Sequence, residues 1–350
     1  METTATCDQE VAAPQTTPGH RPPDRFSLRS LDTGRVLPTF AEDVRRGLTA
    51  EPKILYPKYF YDELGSRLFE AITALPEYYL TRAEAEILAA HAGEIAAAVG
   101  GPVRLLELGS GDGQKTRLLI EALLARQKTL DYLPIDISAS AVEGSSRALL
   151  LSYPALRISA WVGEYHQALQ AIREEAGASH TLALFLGSTL GNLEPEGRLS
   201  LLRDIRAALR PGDAFLLGVD LRKPLGVLLP AYDDPLGVTA AFNLNLLVRI
   251  NRELGGEFDL AAFRHRALYN RGEGRIEMHL ESRRAQTVAV RSLGIDVPFV
   301  QGETIHTENS YKFTLEQITE LAAGAGFELA KTWTDSGGRF ATNLLSVRQP

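Results

Sequence analysis

VRLLELGSGDGQKTRLLI, residues 103–120, is an apolar strand that opens into a turn with three glycines and continues as an amphipathic helix. Glycines at 109, 111 and 113 let the backbone turn sharply and let a ligand approach where a side chain would collide. A dinucleotide site uses the same device to seat a pyrophosphate on a helix N-terminus. Here the turn carries Glu107 and Asp112, whose charge would repel a pyrophosphate and suits a cationic ligand such as a sulfonium.

Outward from this stretch, strands and helices alternate. DYLPIDIS (131–138), RISAWVGEY (157–165), TLALFLGSTLGNL (181–193) and AFLLGVD (214–220) read as strands. The helical patterns SAVEGSSRALLLSY (140–153), QALQAIREEA (167–176) and GRLSLLRDIRAALR (197–210) lie between them, and Pro211-Gly212 breaks the last. This rhythm predicts a parallel sheet with helices on both faces, and a ligand crevice at the carboxyl ends of the strands. Asp136, at the end of the second strand, is placed to accept hydrogen bonds from both hydroxyls of a ribose; a helix N-cap is the alternative for it alone.

Before the sheet, KYFYDELGSRLFEAITALPEYYLTR (58–82) predicts a helix from about Asp62 to Ala74, ended by Pro76, and a second helix follows over Ala83–Ala98. After Leu225 the pattern changes. Residues 231–258 read as mostly helical, and 263–290 as antiparallel strands around the turn at 270–274, a module of another type. The C-terminal residues 313–348 return to helix, strand, Gly-Gly turn and strand.

Composition is that of a globular protein, with 45% hydrophobic and 23% charged residues. A net charge of −7 argues against a phosphate-binding protein of nucleic acid. One cysteine, Cys7, excludes a disulfide framework within the chain and fits a reducing cytoplasm. No run of about 18 apolar residues predicts a membrane span. Residues 1–25 lack the features of a secretory signal and are expected as a disordered tail. The seven histidines show no metal-ligand spacing, so no metal is expected, and His265 and His279 read as surface or structural residues.

Six segments, FYDELGSRLFEAITALPEYYLTRAEAEIL, LLELGSGDGQKTRLL, LGSTLGNL, AYDDPLGVTAAFNLNLLVRINREL, RIEMHL and TENSYKF, together resemble the histidine-specific methyltransferase family, in which hercynine is made for ergothioneine biosynthesis. The likeness runs from about residue 55 to the C-terminus. It implies an α/β fold: a Rossmann-like class I methyltransferase sheet with a second α+β domain for the substrate. Residues 26–82 and 225–312 would form that second domain, and 83–224 with 313–350 the domain binding S-adenosylmethionine. The chain is also expected to be a cytoplasmic monomer acting on a small-molecule amino acid, with neither nucleic acid nor membrane as partner.

Carried across residue by residue, the resemblance puts Gly109, Lys115 and Asp136 against the methyl donor. Glu164 and Tyr165 stand where the family usually has Asp-Phe beside the adenine. Asn192 and Tyr232 would hold the substrate carboxylate, and Tyr61 and Tyr78 the reacting amine. Met278, Glu308 and Ser310 would meet the imidazole, with Thr239 and Phe242 in the pocket wall. Asn309 and Tyr311 depart from histidine-type sequences that carry Ile and Cys there. Read singly, Tyr78 and Tyr79 also fit as core aromatics, Asn192 as a turn cap, Glu308 as a solvated strand residue and Met278 as core filling.

Three rival functions follow from the same residues. One is methylation of another amino acid, such as tryptophan or a prenylated tryptophan, and Met278 with Glu308 favours histidine over it. A non-catalytic sensor of S-adenosylmethionine is opposed by the full polar substrate set. A nicotinamide-dependent dehydrogenase is opposed by the acidic glycine turn.

Overall fold

The computed structural model describes residues 25–31, 39–111, 113–174 and 179–347. The expected tail with Cys7, and Asp112 of the glycine turn, lie outside the described residues. The strands are β1 (Phe26–Ser30), β2 (Lys53–Ile54), β3 (Val103–Leu108), β4 (Leu130–Asp136), β5 (Leu156–Val162), β6 (His180–Phe185) and β7 (Ala214–Asp220). They continue with β8 (Phe263–Asn270), β9 (Arg275–Ser282), β10 (Gln286–Val290), β11 (Ile295–Phe299), β12 (Thr304–Tyr311), β13 (Phe327–Thr334) and β14 (Phe340–Val347). The helices are α1 (Phe40–Leu48), α2 (Glu63–Ala74), α3 (Leu80–Ala98), α4 (Thr116–Leu124) and α5 (Ala139–Ser152). After them come α6 (Tyr165–Glu174), α7 (Pro195–Ala208), α8 (Leu225–Leu228), α9 (Val238–Leu254) and α10 (Leu315–Gly324).

Eight strands form the main sheet in the order β1-β5-β4-β3-β6-β7-β14-β13. The first six are parallel, and β14 and β13 are antiparallel. Both faces are covered, so neighbouring apolar residues serve opposite layers. Leu105, Leu182, Leu184 and Leu216 join one buried cluster, while Leu106, Ala183, Phe185, Phe215 and Leu217 join the other with α6, α7 and α10. That arrangement is the parallel sheet with two helical layers that the alternation predicts.

The second module is a four-stranded sheet in the order β2-β12-β9-β8, beside the hairpin β10-β11. The segment before the main sheet is tied into it three ways. β2 pairs in parallel with β12, Phe60 stacks on Phe242 of α9 at 4.5 Å, and the Asp62 carboxylate accepts from Asn245 and Arg252. Asp62 also caps α2 by accepting from the Gly65 amide, which starts the helix where expected. The apolar cluster on one face of the main sheet runs without a break into this module through Phe242, Leu246, Ile276 and Met278.

Phe26–Ser30 corrects the expected boundary. Instead of joining the second module, β1 extends the main sheet by pairing with β5, and the Arg25 guanidinium anchors it on the carbonyls of Leu150, Tyr153 and Leu156. The free edge of β5 offers unpaired backbone groups, and that outweighs the polar sequence of β1. Among the described residues no helix is long and apolar enough to cross a membrane.

Candidate active site

At the end of β3 the backbone turns through Gly109, Gly111 and Gly113 with φ of 73°, 51° and 68°. These angles are in the left-handed region that glycine enters without a Cβ penalty. Space imposes a second requirement. A Cβ on Gly109 would stand 2.7 Å from the Tyr165 hydroxyl, so a larger residue there would force that side chain to shift. Tyr165, packed edge-on to Phe185, faces Asp136 and Glu107, whose charges add to burial in raising its phenol.

Asp136 ends β4 half-buried, its carboxylate accepting from the backbone amides of Ser138, Gly111 and Ile137. Burial raises its pKa against those three donors. It therefore ties the glycine turn to the next strand and still has lone pairs for a ligand. Glu107 is engaged differently. Thr116 and Tyr132 donate to its two oxygens, and burial lifts it to about 7. It supports the turn from below instead of lying open to a sulfonium. Glu164 is half-buried in the link between β5 and α6. A glycine cradle closed to side chains, with a carboxylate and an aromatic ring around it, fits an adenosyl group.

Lys115 is half-buried, and its ammonium pairs with Glu84 of α3, a residue the sequence reading missed. Glu84 is wholly buried, accepts the Gly187 amide at 3.0 and 2.9 Å, and lies so close to β7 that a Cβ on Gly218 would collide with it. The signal was present: Leu80, Ala83, Glu84, Ile87 and Leu88 share the buried face of α3, and a carboxylate among them requires a partner. After Gly187, Ser188 holds a left-handed conformation at φ 60°, and its hydroxyl accepts the Asp220 amide at 2.9 Å. This strained corner leads into the short helical turn Thr189–Asn192. A Cβ on Gly191 would stand 2.9 Å from the Tyr311 carbonyl, so the glycine lets β12 lie against the turn and sets Asn192 beside it.

The far side of the site is one face of the four-stranded sheet. Opposite Met278 on β9 stands Glu308 on β12, and opposite Ile276 stands Ser310. Paired residues share a face, so Met278, Glu308 and Ser310 point the same way. A bulge between His306 and Glu308 makes this possible. It lets Ile305, paired with Leu280, and Glu308 occupy the same face although they are three residues apart. Asn309 and Tyr311 consequently point away from Glu308, and both donate to Glu194, at 2.6 and 2.7 Å. Their departure from the histidine-type pattern therefore lies on the opposite face from Glu308 and Ser310.

Tyr61 and Tyr78 span the two halves. They are linked through an aromatic cluster with Phe69 and Phe242, with ring centroids 5.5–6.0 Å apart. Burial holds both phenols well above their ordinary pKa. Glu308, Tyr78, Tyr165 and Asp136 add to the effect on Tyr61; Tyr232, Glu308, Asp220 and Glu84 add to it on Tyr78. The charges of Glu308 and Asp136 both act on Tyr61. It is 37% exposed, yet protein groups surround its hydroxyl, as befits a side chain on a cleft wall. Glu308 is nearly buried and lifted by burial to about 7, with the Lys312 ammonium drawing it back down.

Tyr232 is fixed from both ends. Its hydroxyl is 2.8 Å from the Ser310 hydroxyl, and its carbonyl accepts Nε2–H of His265 at 2.7 Å. The other ring nitrogen of His265 accepts from Asn243, so this buried histidine is a neutral brace. Thr239 is buried on α9, where Asp234 caps the helix through the Val238 and Thr239 amides, and Phe242 touches Tyr61. Among the described residues no group of three or more metal-ligating side chains occurs.

The chain has counterparts among known proteins. The chain is 46% identical over 302 residues to histidine N-alpha-methyltransferase of Mycolicibacterium smegmatis, covering 86% of this chain and 93% of that protein. It is 45% identical, with the same coverage, to histidine N-alpha-methyltransferase of Mycobacterium tuberculosis. Ergothioneine biosynthesis protein 1 of Neurospora crassa is 31% identical over 310 residues, which are 84% of this chain and 33% of that longer protein. The family model for the histidine-specific, S-adenosylmethionine-dependent methyltransferases matches residues 40–347, and the chain belongs to that family.

Proposed function

We propose that the enzyme methylates the α-amino group of L-histidine, continuing to trimethylhistidine (hercynine) on the route to ergothioneine. The observation that carries this reading is that Met278, Glu308 and Ser310 share one face of the second sheet, while Tyr61 and Tyr78 are joined through Phe69 and through Phe242 of α9 beside it. The two mycobacterial relatives are histidine N-alpha-methyltransferases, which supports histidine, and the fungal relative, an ergothioneine biosynthesis protein, supports the pathway. In this reading the second module, with the segment before the main sheet, carries the amino acid.

S-adenosylmethionine, when bound, supplies an electrophilic methyl on a sulfonium whose departure leaves a neutral thioether. Gly109, Asp136 and Tyr165 would hold its adenosyl group, with Lys115 and Glu164 at the edge. Asn192 and Tyr232 would donate to the substrate carboxylate. Tyr61 and Tyr78 are held neutral by burial, so they accept amine N–H groups and offer ring faces to the growing ammonium, whose proton passes to solvent before the next transfer. Alignment of nitrogen, methyl and sulfur is then the main catalytic contribution. Glu308 would accept an imidazole N–H while Ser310 and Met278 close the ring end; a ligand without that N–H leaves a buried carboxylate unpaired.

The test is mass spectrometry of products from an equimolar pool of the twenty amino acids with S-adenosylmethionine. Histidine should gain 14, 28 and 42 mass units (roughly, one to three methyls) ahead of every other member. Preferential methylation of tryptophan would replace this reading with the rival one.

A further inference from the structure

Lys312, two residues beyond Ser310 on the Glu308 face of the chain, is fully buried. Its ammonium lies 2.7 Å from the Tyr232 hydroxyl, 2.8 Å from the Ser310 hydroxyl and 2.8 Å from Asp220 Oδ2. Three acceptors take all three of its protons. Asp220, also fully buried, accepts in addition from Tyr79 at 2.7 Å and from Lys223, whose own ammonium donates to Tyr79 and to the Leu221 carbonyl. Asp220 thus faces two lysines, with the Glu308 carboxyl the other acidic group acting on Lys312, and the Lys312 ammonium is hydrogen-bonded to Tyr232 and Ser310.

We infer that Lys312 is a positioning residue that polarises this hydroxyl pair for the substrate carboxylate. The protons of the cluster can be counted. Because Lys312 donates to both oxygens, neither hydroxyl can donate back to it. The two hydroxyls are 2.8 Å apart and carry two protons. One proton lies between them, and the other faces the cleft. An incoming carboxylate at Tyr232 takes the outward proton, Ser310 then donates to Tyr232, and the Ser310 oxygen faces the ring end as an acceptor. Lys312 itself does not touch the substrate. It fixes which way the donors point and supplies the charge that an anion seeks, in a site where a lone phenol would be a weaker donor.

This inference rests on the assignment of Tyr232 to the carboxylate, and the two can fail separately. The experiment compares L-histidine with histamine, which lacks the carboxylate, on the full-length enzyme and Lys312→Met, with S-adenosylhomocysteine binding as a control. For Lys312→Met, the histidine KM should rise about 10- to 100-fold, the size of a lost charge-assisted contact, with kcat changed less than about threefold. Histamine inhibition and S-adenosylhomocysteine affinity should be unchanged. A histidine KM within about twofold of wild type overturns the inference, and so does an equal loss for histamine, since that reports general damage. A wild-type enzyme that binds histamine as tightly as histidine instead removes the carboxylate from Tyr232, and the inference falls with its premise. Should Lys312→Met not fold, the double variant Lys312→Met/Asp220→Asn removes charge and counter-charge together and is held to the same outcomes.

Discussion

The two ends of the cleft are built by different means. At the proposed adenosyl end, three glycines within five residues and one strand-end carboxylate do the work, and the site is largely backbone. The proposed amino acid end is assembled from side chains of α9, β9, β12, the turn at Asn192 and the segment before the main sheet. Its chemistry depends on a bulge and on a buried ion pair. A backbone site is set by local conformation, so few substitutions are tolerated and each disturbs the whole loop. A side-chain site can be changed one contact at a time, which is how one scaffold can serve different amino acids.

The sharpest way to break the comparison is at Asp136. Asp136→Ala should weaken S-adenosylhomocysteine binding by about 2–3 kcal/mol, or roughly 30- to 150-fold by titration, because ribose contacts and the tie to the Gly111 amide go together. A dissociation constant equal to wild type would remove Asp136 from the site. Gly109→Ala should cost about tenfold, from 1–2 kcal/mol of left-handed strain and the clash with Tyr165. Adding Tyr165→Phe should recover part of that affinity; if it recovers none, the Tyr165 hydroxyl does not crowd that glycine.

Glu308 tests the amino acid end through stability. Burial lifts it from 4.5 to about 7. The folded protein therefore holds this proton more tightly than the unfolded chain, and the stability so gained is present below about pH 4.5 and lost as pH rises through about 7. Without ligands, Glu308→Gln should be more stable than wild type at pH 8, by up to about 2–3 kcal/mol, and the difference should shrink toward pH 4.5. Equal denaturation midpoints at both pH values would mean that Glu308 bears no burial penalty. The smallest effect is expected outside the cleft. Asn309→Ile loses its bond to Glu194 and should lower stability by about 1 kcal/mol, leaving the histidine-to-tryptophan preference within about twofold. A changed preference would bring Asn309 into the cleft.

The same contrast governs what the sequence revealed. The glycine turn, Asp136 and the strand-helix rhythm are local signals, and each stands where the alternation predicts. At the other end, residue types alone left Glu308 between a solvated strand and a ligand contact; resemblance placed it. No periodicity marks the bulge before Glu308 that decides which face of β12 meets the cleft. Lys312 and Asp220 sit in SYKF and AFLLGVD, where a charge at a strand end reads as solvated, because the partners that neutralise them come from distant segments. β1 was misassigned for a related reason: its burial pattern is almost wholly exposed, and only the free edge of β5 explains its place.

The most direct test of the account is a competition between histidine and tryptophan on wild type, Glu308→Ala and Asn192→Ala. If Glu308 reads the imidazole and Asn192 the shared carboxylate, Glu308→Ala should lose about 10- to 150-fold of the preference for histidine, corresponding to 1.5–3 kcal/mol for a buried charge-assisted bond. Asn192→Ala should lower kcat/KM for both amino acids alike. A Glu308→Ala enzyme that keeps the wild-type ratio would contradict the assignment of the ring end, and with it the choice of histidine as substrate.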